Sequence, residues 1–292
     1  MRIDLHTHSR VSDGTQPPDE VIRLAAAQGL DVVALTDHDT TDGWAEATRA
    51  AAETGITLVR GLEISTKHNG QGVHLLGYLP DPTYPPLVEG LQKVLDGRNS
   101  RIPAILERLN ELGIAIRVDD VRQVAGDAAA AGRPHVADAL VDRGVVRDRE
   151  QAFDELLSPG RPAYVHRYAA PLVEMIRIVG EAGGVAVLAH PWGRHAPAGM
   201  SPEDIAGLAE LGLVGLEVDH QDHDAASRRD LAAIADDLGL VRTGSSDYHG
   251  AGKKNHELGC NTTEPEQFER LIALASDAAA RSGRRTPELV VP

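Results

Sequence analysis

Arg2-Ile3-Asp4-Leu5-His6-Thr7-His8 begins the chain as a short β-strand that ends in two histidines. Side chains two positions apart on a strand point to the same face of a sheet. His6 and His8 can therefore bind one metal ion or two neighbouring ions, which adjacent residues on a strand could not do. The stretch predicts a strand whose end carries metal ligands.

The same arrangement, an apolar run followed by a metal-binding residue type, recurs further along the chain. Residues 31–36 precede His38, and residues 240–245 precede Asp247. Segments with helical spacing separate the runs, and such alternation predicts a parallel sheet with right-handed crossovers. Seven strands favour a closed or nearly closed barrel over a short open sheet. The predicted strands are residues 2–8, 31–36, 56–63, 72–78, 185–189, 214–218 and 240–245.

A proline-rich segment interrupts this alternation. Residues 80–86 contain four prolines and cannot continue a helix or a central strand, so they mark a boundary. From there to about residue 165 the pattern is helical. We therefore predict an α/β fold, a barrel formed by residues 1–84 and 168–292, with an inserted helical cap over residues 85–167.

Two details of the inserted segment are predicted as well. The long helical pattern of residues 87–112 contains Pro103, which predicts a break in that helix. Residues 114–118 form the one short run in this segment that is typical of a strand.

The candidate metal ligands lie at or near the ends of the predicted strands, the place where function gathers in barrels of this kind. Only the strand that ends at Val218 has no assigned ligand. The ligands are spread over the whole chain, which argues against a local structural zinc site. They are His6, His8, Asp13, His38, Glu63, His74, His190, Asp247 and His249.

Imidazoles and carboxylates without thiolates suit first-row divalent ions that act as Lewis acids. Six histidines and three carboxylates are too many ligands for one ion. We predict two or three divalent ions, with Mn²⁺ first and Fe²⁺ or Zn²⁺ as alternatives. Such a centre would hold a phosphate and lower the pKa of a water molecule.

Composition excludes several functions. The formal charge is −15, from 44 acidic and 29 basic residues, which argues against binding to long duplex nucleic acid or to an anionic membrane. The single Cys260 excludes an internal disulfide and suits a reducing compartment. No run approaches 18 apolar residues, so we expect a soluble, cytoplasmic protein. His68 and His256 lie in polar stretches and are interpreted as ordinary surface residues.

The motifs together resemble the polymerase-and-histidinol-phosphatase (PHP) family of metal-dependent phosphoesterases. They are Asp4-Leu5-His6-Thr7-His8-Ser9 with Ser12-Asp13-Gly14, Leu35-Thr36-Asp37-His38-Asp39, Gly61-Leu62-Glu63-Ile64-Ser65, His74-Leu75-Leu76-Gly77-Tyr78, Ala189-His190-Pro191 and Ser246-Asp247-Tyr248-His249.

The resemblance implies a distorted (β/α)7 barrel with three metal ions. By this analogy one ion is bound by His6, His8, Glu63 and Asp247. A second is bound by Glu63, His74 and His190, with Glu63 as the bridge. The third is bound by Asp13, His38 and His249.

The inserted segment resembles that of stand-alone family members that act on nucleotides. In that subgroup a Gly-Arg-Pro-His element reaches over the metals, and Gly132-Arg133-Pro134-His135 matches it. Arg133 offers a planar fork for a second phosphate. The candidate substrate-contacting and catalytic residues are Arg133, His135, Arg194, His220 and His223, the last two as substrate-side groups or proton donors.

The resemblance implies a phosphoesterase that removes one phosphate from a nucleoside 3′,5′-bisphosphate, with trimming of short oligonucleotides from the 5′ end as a further activity. One alternative is a histidinol-phosphate or other small-molecule phosphomonoesterase. Another is a non-catalytic metal-binding module. The expected partner is a small phosphorylated substrate, and the oligomeric state is left open.

Overall fold

The computed structural model describes residues 1–193 and 200–291. Its centre is a single sheet with the strand order β1-β2-β3-β4-β6-β7-β8, and β5 pairs beside β3. The strands are β1 (Ile3–Asp4), β2 (Val32–Leu35), β3 (Thr57–His68), β4 (Gln71–Tyr78), β5 (Ala170–Pro171), β6 (Val185–Ala189), β7 (Leu213–Asp219) and β8 (Val241–Gly244).

The sheet curves until its first and last strands nearly meet. A parallel bridge joins Thr7, after β1, to Tyr248, after β8, and the His8 backbone N–H donates to the Tyr248 carbonyl at 2.8 Å. The Thr263 N–H also donates to the Ile3 carbonyl at 2.9 Å. The predicted barrel of seven strands is therefore confirmed in its nearly closed form.

The prediction of a parallel sheet is wrong for β4, which runs antiparallel to both β3 and β6. Asn69 and Gly70 connect β3 to β4 with φ angles of 46° and 82°. Two consecutive positive φ angles define the tight hairpin turn for which Asn-Gly is the favoured sequence. The reversal explains why His74, near the start of β4, lies at the rim where the parallel strands end.

Helices surround the sheet, and the apolar faces of several of them pack onto it. Among the described residues, no helix is both long and apolar enough to cross a membrane. The helices are α1 (Pro18–Ala27), α2 (Trp44–Thr54), α3 (Pro85–Glu111), α4 (Val118–Ala125), α5 (Arg133–Asp142), α6 (Arg149–Ala152), α7 (Leu172–Glu181), α8 (Pro202–Glu210), α9 (Ala225–Asp237) and α10 (Pro265–Ser282), with a π-helical turn at Phe153–Leu157 and a 3₁₀ turn at Gly250–Gly252.

The long helix α3 belongs to two hydrophobic clusters. Its first half contributes Leu87 and Val94 to the cluster around the barrel strands. Its second half contributes Ile105 and Leu109 to a cluster formed with α4, α5 and the π-helical turn. The division into a barrel and a cap at residues 85–167 stays a prediction; α3 begins at the proposed boundary, and its first half packs against the barrel.

Two predictions for this segment are wrong. Helix α3 continues through Pro103, because apolar packing on both sides of the proline outweighs the one hydrogen bond that it removes. Residues 114–117 form no strand, and α4 begins at Val118. Ile114 and Ile116 instead pack into the cluster formed by α3, α4, α5 and the π-helical turn. Their apolar character therefore reflects burial and not strand pairing.

Candidate metal centre

All nine predicted ligands gather at one rim of the barrel, where the parallel strands end. Each of them belongs to at least one group of side chains whose nitrogen or oxygen atoms lie within 4.8 Å of one another. Four groups consist of predicted ligands alone: His8, Asp13, His38 and His249; His6, Glu63 and His190; His6, His8 and Asp247; and His38, Glu63 and His74. A fifth joins Asp247 to His220 and His256.

The innermost atoms have separations that suit a shared ion. The Nε2 atoms of His6 and His8 are 3.0 Å apart, and they lie 3.3 and 3.2 Å from Oε2 of Glu63. Oδ1 of Asp247 lies 3.6 and 3.5 Å from the same two nitrogens. Ligands about 2.0–2.1 Å from a tetrahedral ion are about 3.3–3.4 Å from each other. These four donors therefore fit one divalent ion.

Glu63 lies between this group and two further histidines. Its Oε1 is 2.8 Å from Nδ1 of His74 and 3.1 Å from Nε2 of His190, while its Oε2 is 3.1 Å from Nδ1 of His38. The Nδ1 atoms of His38 and His74 are buried, yet neither has hydrogen-bond geometry towards a partner in the described parts of the chain. Buried nitrogens that approach a carboxylate without hydrogen-bond geometry are suited to metal coordination, so His38 and His74 would hold an ion together with Glu63.

Asp13 contacts the histidines of its group through both carboxylate oxygens. Its Oδ1 is 3.3 Å from Nε2 of His249, and its Oδ2 is 3.7 Å from Nε2 of His38. The ring of His249 stacks on the ring of His8 with centroids 4.1 Å apart. His38 thus presents one ring nitrogen to Asp13 and the other to Glu63, between two neighbouring groups.

The imidazoles keep the buried carboxylates ionised. Burial alone would raise the pKa of Glu63, but His74 and His38 outweigh it and hold that pKa well below its ordinary value. For Asp13, His38 and His249 likewise outweigh the effect of burial and hold its pKa well below the usual range. Both groups are therefore available as anionic ligands.

Two aspartates beside His38 have structural partners. Asp37 accepts hydrogen bonds from the Ser9 N–H at 2.8 Å and from the hydroxyls of Ser9 and Ser12 at 2.7 Å. Asp39 accepts from the Ser65 N–H at 2.7 Å. These bonds fix the loops on both sides of His38.

The ring of His220 has a defined tautomer. Its Nδ1 accepts a hydrogen bond from the Asp222 backbone N–H at 3.1 Å, so the ring proton is on Nε2, which faces Oδ2 of Asp247 at 3.2 Å. Nε2 of His220 therefore donates a hydrogen bond to Asp247 and orients that carboxylate. A metal ion could bind this nitrogen only in the other tautomer.

The other predicted proton donor, His223, faces backbone atoms. Its Nδ1 donates to the Val218 carbonyl at 2.9 Å, and its Nε2 accepts from the Trp192 N–H at 3.3 Å. Both ring nitrogens are used in this way, which argues against the predicted role as a proton donor.

The Gly-Arg-Pro-His element begins α5 and faces the interior. Nδ1 of His135 accepts from the Gly132 N–H at 3.1 Å, and the ring is buried. Arg133 donates to the Leu157 carbonyl at 3.1 Å, and its guanidinium lies over the rings of Phe153 and Tyr164. Arg194, the remaining predicted substrate contact, lies outside the described residues.

The sequence interpretation missed Glu217 and Lys253 and was wrong about His256. Glu217 is fully buried in β7 beside His6, and the Lys253 ammonium contacts Asp247. His256 is only 3% exposed and donates from Nδ1 to the Ser246 carbonyl at 2.7 Å. An acidic residue in the apolar strand of β7 was the available signal for Glu217, whereas the polar loop of Lys253 and His256 carried none.

Comparison with known proteins agrees with this geometry. The PHP domain family matches residues 4–118. A 3′,5′-nucleoside bisphosphate phosphatase of Chromobacterium violaceum is 37% identical over 88% of this chain and 90% of the relative. The chain belongs to the PHP family. A 5′-3′ exoribonuclease of Haemophilus influenzae is 35% identical over 85% of this chain and 90% of that enzyme.

Solved structures of similar proteins share the fold. A metal-dependent phosphoesterase from Bifidobacterium adolescentis covers 93% of this PHP chain and 96% of its own, with a TM-score of 0.89 and 35% identity. An amidohydrolase from Chromobacterium violaceum, with bound sulfate and no metal, covers 94% and 97%, with a TM-score of 0.84 and 35% identity. The predicted family and the predicted class, a metal-dependent phosphoesterase, are confirmed.

Proposed function

We propose that this PHP protein hydrolyses a phosphomonoester of a small nucleotide. The preferred substrate is a nucleoside 3′,5′-bisphosphate, and the products are the 5′-monophosphate and phosphate. The observation that carries the proposal is a set of four arginines beside the candidate metal centre. This arginine group consists of Arg98, Arg101, Arg133 and Arg167.

The arginine group is joined to the metal centre by hydrogen bonds. Nε of Arg98 donates to Oδ2 of Asp39 at 2.5 Å, and its NH2 donates to the Ser65 hydroxyl at 2.6 Å. Asp39 directly follows His38, and Ser65 lies two residues after Glu63. A phosphate bound by the arginine group would therefore lie next to a phosphate at the metal centre.

The arginine group has more positive charge than its own surroundings neutralise. Arg98 and Arg101 are only 4% and 5% exposed. Burial and the neighbouring Arg133 lower the pKa of Arg101 to about 8, and burial and Arg98 lower the pKa of Arg167 to about 9. The buried Nε of Arg101 donates to no acceptor in the described chain. A phosphate dianion would supply both the missing charge and the missing acceptor.

We infer that the nine ligands bind two or three divalent ions, with Mn²⁺ first and Fe²⁺ or Zn²⁺ as alternatives. When bound, such ions supply positive charge for the phosphoryl oxygens and make water a better nucleophile. The chain contributes position: Glu63 aligns three histidines, and His220 fixes the orientation of Asp247. The arginine group holds the phosphate that is not cleaved, which aligns the other one for attack.

The names of the relatives support a phosphorylated nucleotide as the substrate and do not decide between a mononucleotide and an oligonucleotide. One is named a 3′,5′-nucleoside bisphosphate phosphatase and three are named 5′-3′ exoribonucleases. An oligonucleotide with a 5′-phosphate also carries two phosphates around one ribose, so the arginine group could bind it as well. We expect the enzyme to work in the cytoplasm, where the free thiol of Cys260 stays reduced.

The test compares adenosine 3′,5′-bisphosphate, adenosine 3′-monophosphate, a short 5′-phosphorylated oligonucleotide and histidinol phosphate. We expect the bisphosphate to have a kcat/KM at least about tenfold above the monophosphate. Arg101→Met removes charge-assisted hydrogen bonds worth roughly 1.5–3 kcal/mol, which lowers the bisphosphate kcat/KM roughly 10–150-fold and leaves the monophosphate nearly unchanged.

Arg122→Met is the matched control, because Arg122 lies in the same segment with a side chain that is 76% exposed. It should leave all four rates unchanged. Faster hydrolysis of histidinol phosphate than of any nucleotide would overturn the proposal in favour of a histidinol-phosphate or other small-molecule phosphomonoesterase. Preferred release of nucleotides from the oligonucleotide would instead identify an exoribonuclease.

A further inference from the structure

The Glu217 carboxylate contacts residues that follow three different strands at the metal centre. Its carboxylate is fully buried, and Oε2 accepts a hydrogen bond from the His190 backbone N–H at 2.8 Å. Oε1 faces Nδ1 of His6 at 3.1 Å and also contacts the Ser245 hydroxyl. The partners follow β1, β6 and β8, so one side chain links residues from three other strands.

The contact with His6 determines which of its ring nitrogens can bind metal. A neutral imidazole has one N–H, and a hydrogen bond from Nδ1 to Glu217 places the proton there. Nε2 then keeps its lone pair, and this nitrogen faces His8 at 3.0 Å and Glu63 at 3.3 Å. Without an acceptor at Nδ1, a proton on Nε2 would point into the ligand cluster and block coordination.

The contact with His190 acts on the backbone. His190 has a φ angle of 26°, a conformation that a residue with a Cβ rarely adopts. The hydrogen bond from its N–H to Glu217 stabilises that conformation, which directs Nε2 of His190 to within 3.1 Å of Oε1 of Glu63.

We propose that Glu217 is the positioning residue of the metal centre, which selects the metal-binding tautomer of His6 and holds the backbone of His190. Its oxygens lie on the Nδ1 side of His6, so it acts through the two ligands and not as one. Partners of this kind commonly change metal affinity 10–100-fold when they are removed. The inference rests on the metal centre proposed above, and it is independent of which phosphoester the enzyme cleaves.

Glu217→Gln tests this with almost no change of shape. An amide has one acceptor oxygen, whereas both oxygens of Glu217 accept hydrogen bonds. The His190 N–H can only donate, so the amide oxygen should face it and the NH₂ should face His6. His6 would then accept at Nδ1 and carry its proton on Nε2. We expect about 10–100-fold weaker binding of one ion and retention of the others.

Metal content and competition titration of the purified protein measure that loss, with Mn²⁺ and Zn²⁺ as the probes. Glu210→Gln is the matched control, because Glu210 is exposed at the end of α8. Ser245→Ala removes one donor to Glu217 and leaves His6 untouched, so it should retain near-normal affinity. Unchanged affinity in Glu217→Gln for every ion would overturn the proposal, whatever the substrate tests show.

A second measurement does not depend on the variant folding. Long-range ¹⁵N–¹H correlations of the wild-type protein loaded with diamagnetic Zn²⁺ report the tautomer of each histidine, and His6→Gln identifies the signal of His6. We expect the proton on Nδ1 in the wild type and, where the variant folds, on Nε2 in Glu217→Gln. A proton on Nε2 of His6 in the wild-type protein would by itself refute the assignment.

Discussion

Removing Arg98 should strongly destabilise the fold and should do so in a pH-dependent way. Arg98 and Asp39 form a buried ion pair, with Nε and Oδ2 2.5 Å apart and side chains only 5% and 0% exposed. Arg98→Met preserves most of the volume and leaves Asp39 buried without its cation. Loss of one partner of a buried pair costs roughly 3–5 kcal/mol.

Because of two features of the structure, we expect the loss of folding stability to lie near the lower end of that range. Asp39 keeps the hydrogen bonds from the Ser65 N–H at 2.7 Å and from the Ser65 hydroxyl at 2.9 Å. The variant also relieves repulsion between Arg98 and Arg101. We therefore expect the free energy of unfolding to fall by about 3 kcal/mol at neutral pH. This corresponds to a fall in Tm of roughly 6–12 °C for a domain of this size.

The direction of the pH dependence follows from Asp39. Burial opposes its ionisation, but Arg98 outweighs burial and lowers the pKa of Asp39 below its ordinary value. In the wild type, this stabilisation is present above the unfolded pKa of about 3.9 and is lost as pH falls through the folded pKa. In Arg98→Met, burial dominates and raises that pKa, so the variant is penalised increasingly as pH rises. The difference in Tm should shrink from pH 7 towards pH 4.

Thermal unfolding of the metal-free proteins measures these differences. The double variant Arg98→Met/Asp39→Asn removes both charges, so its free energy of unfolding should be within about 1 kcal/mol of the wild-type value. Arg122→Met breaks an exposed pair with Asp119 and should cost less than about 0.5 kcal/mol. A loss below 1 kcal/mol for Arg98→Met, or a loss independent of pH, would refute this account of the pair.

Three further outcomes follow from the centre and the barrel. Chelation should abolish phosphoesterase activity and lower Tm, and added Mn²⁺ should restore both, as activity assays and calorimetry would show. His38→Ala and Asp247→Ala should each reduce turnover to background while circular dichroism shows an intact fold; normal turnover in either would exclude it as a ligand. Gly244→Ala would place a Cβ 2.3 Å from the Thr262 carbonyl oxygen, so it should cost at least about 2 kcal/mol in chemical denaturation.

The sequence predicted the rim of the barrel because its signals are local. A histidine or carboxylate directly after an apolar run needs only the parallel arrangement to reach the common end of the sheet. His6, His38 and Asp247 were found in this way. His74 was predicted at that rim for a wrong reason, since it lies near the start of an antiparallel strand. Asn69-Gly70 carried the hairpin signal, but the regular alternation of strands and helices favoured a parallel sheet.

Residues that act through other residues were harder to predict. Glu217 occupies a strand position where an acidic side chain is also typical of a solvent-facing residue. Its burial depends on donors from His6, His190 and Ser245, which are far away in the chain. The arginine group presents the same difficulty, because Arg98 and Arg101 have ordinary helical spacing and their burial arises only when α3 packs beside the barrel rim. Such contacts are long-range, so a local pattern can at most single out the residue, as it does for Glu217, and does not identify its partners.

The backbone gives independent support for a centre at this rim. Among the described residues, six that are not glycine have positive φ angles, and three of them, Asp39, His190 and Asp247, lie at the candidate metal centre. Each such conformation costs of order 1 kcal/mol or more and persists only where surrounding contacts stabilise it. Here the contacts are the hydrogen bonds of Asp39 to Ser65 and of His190 to Glu217. Such strained residues cluster at functional sites, so their concentration at this rim supports a ligand centre there.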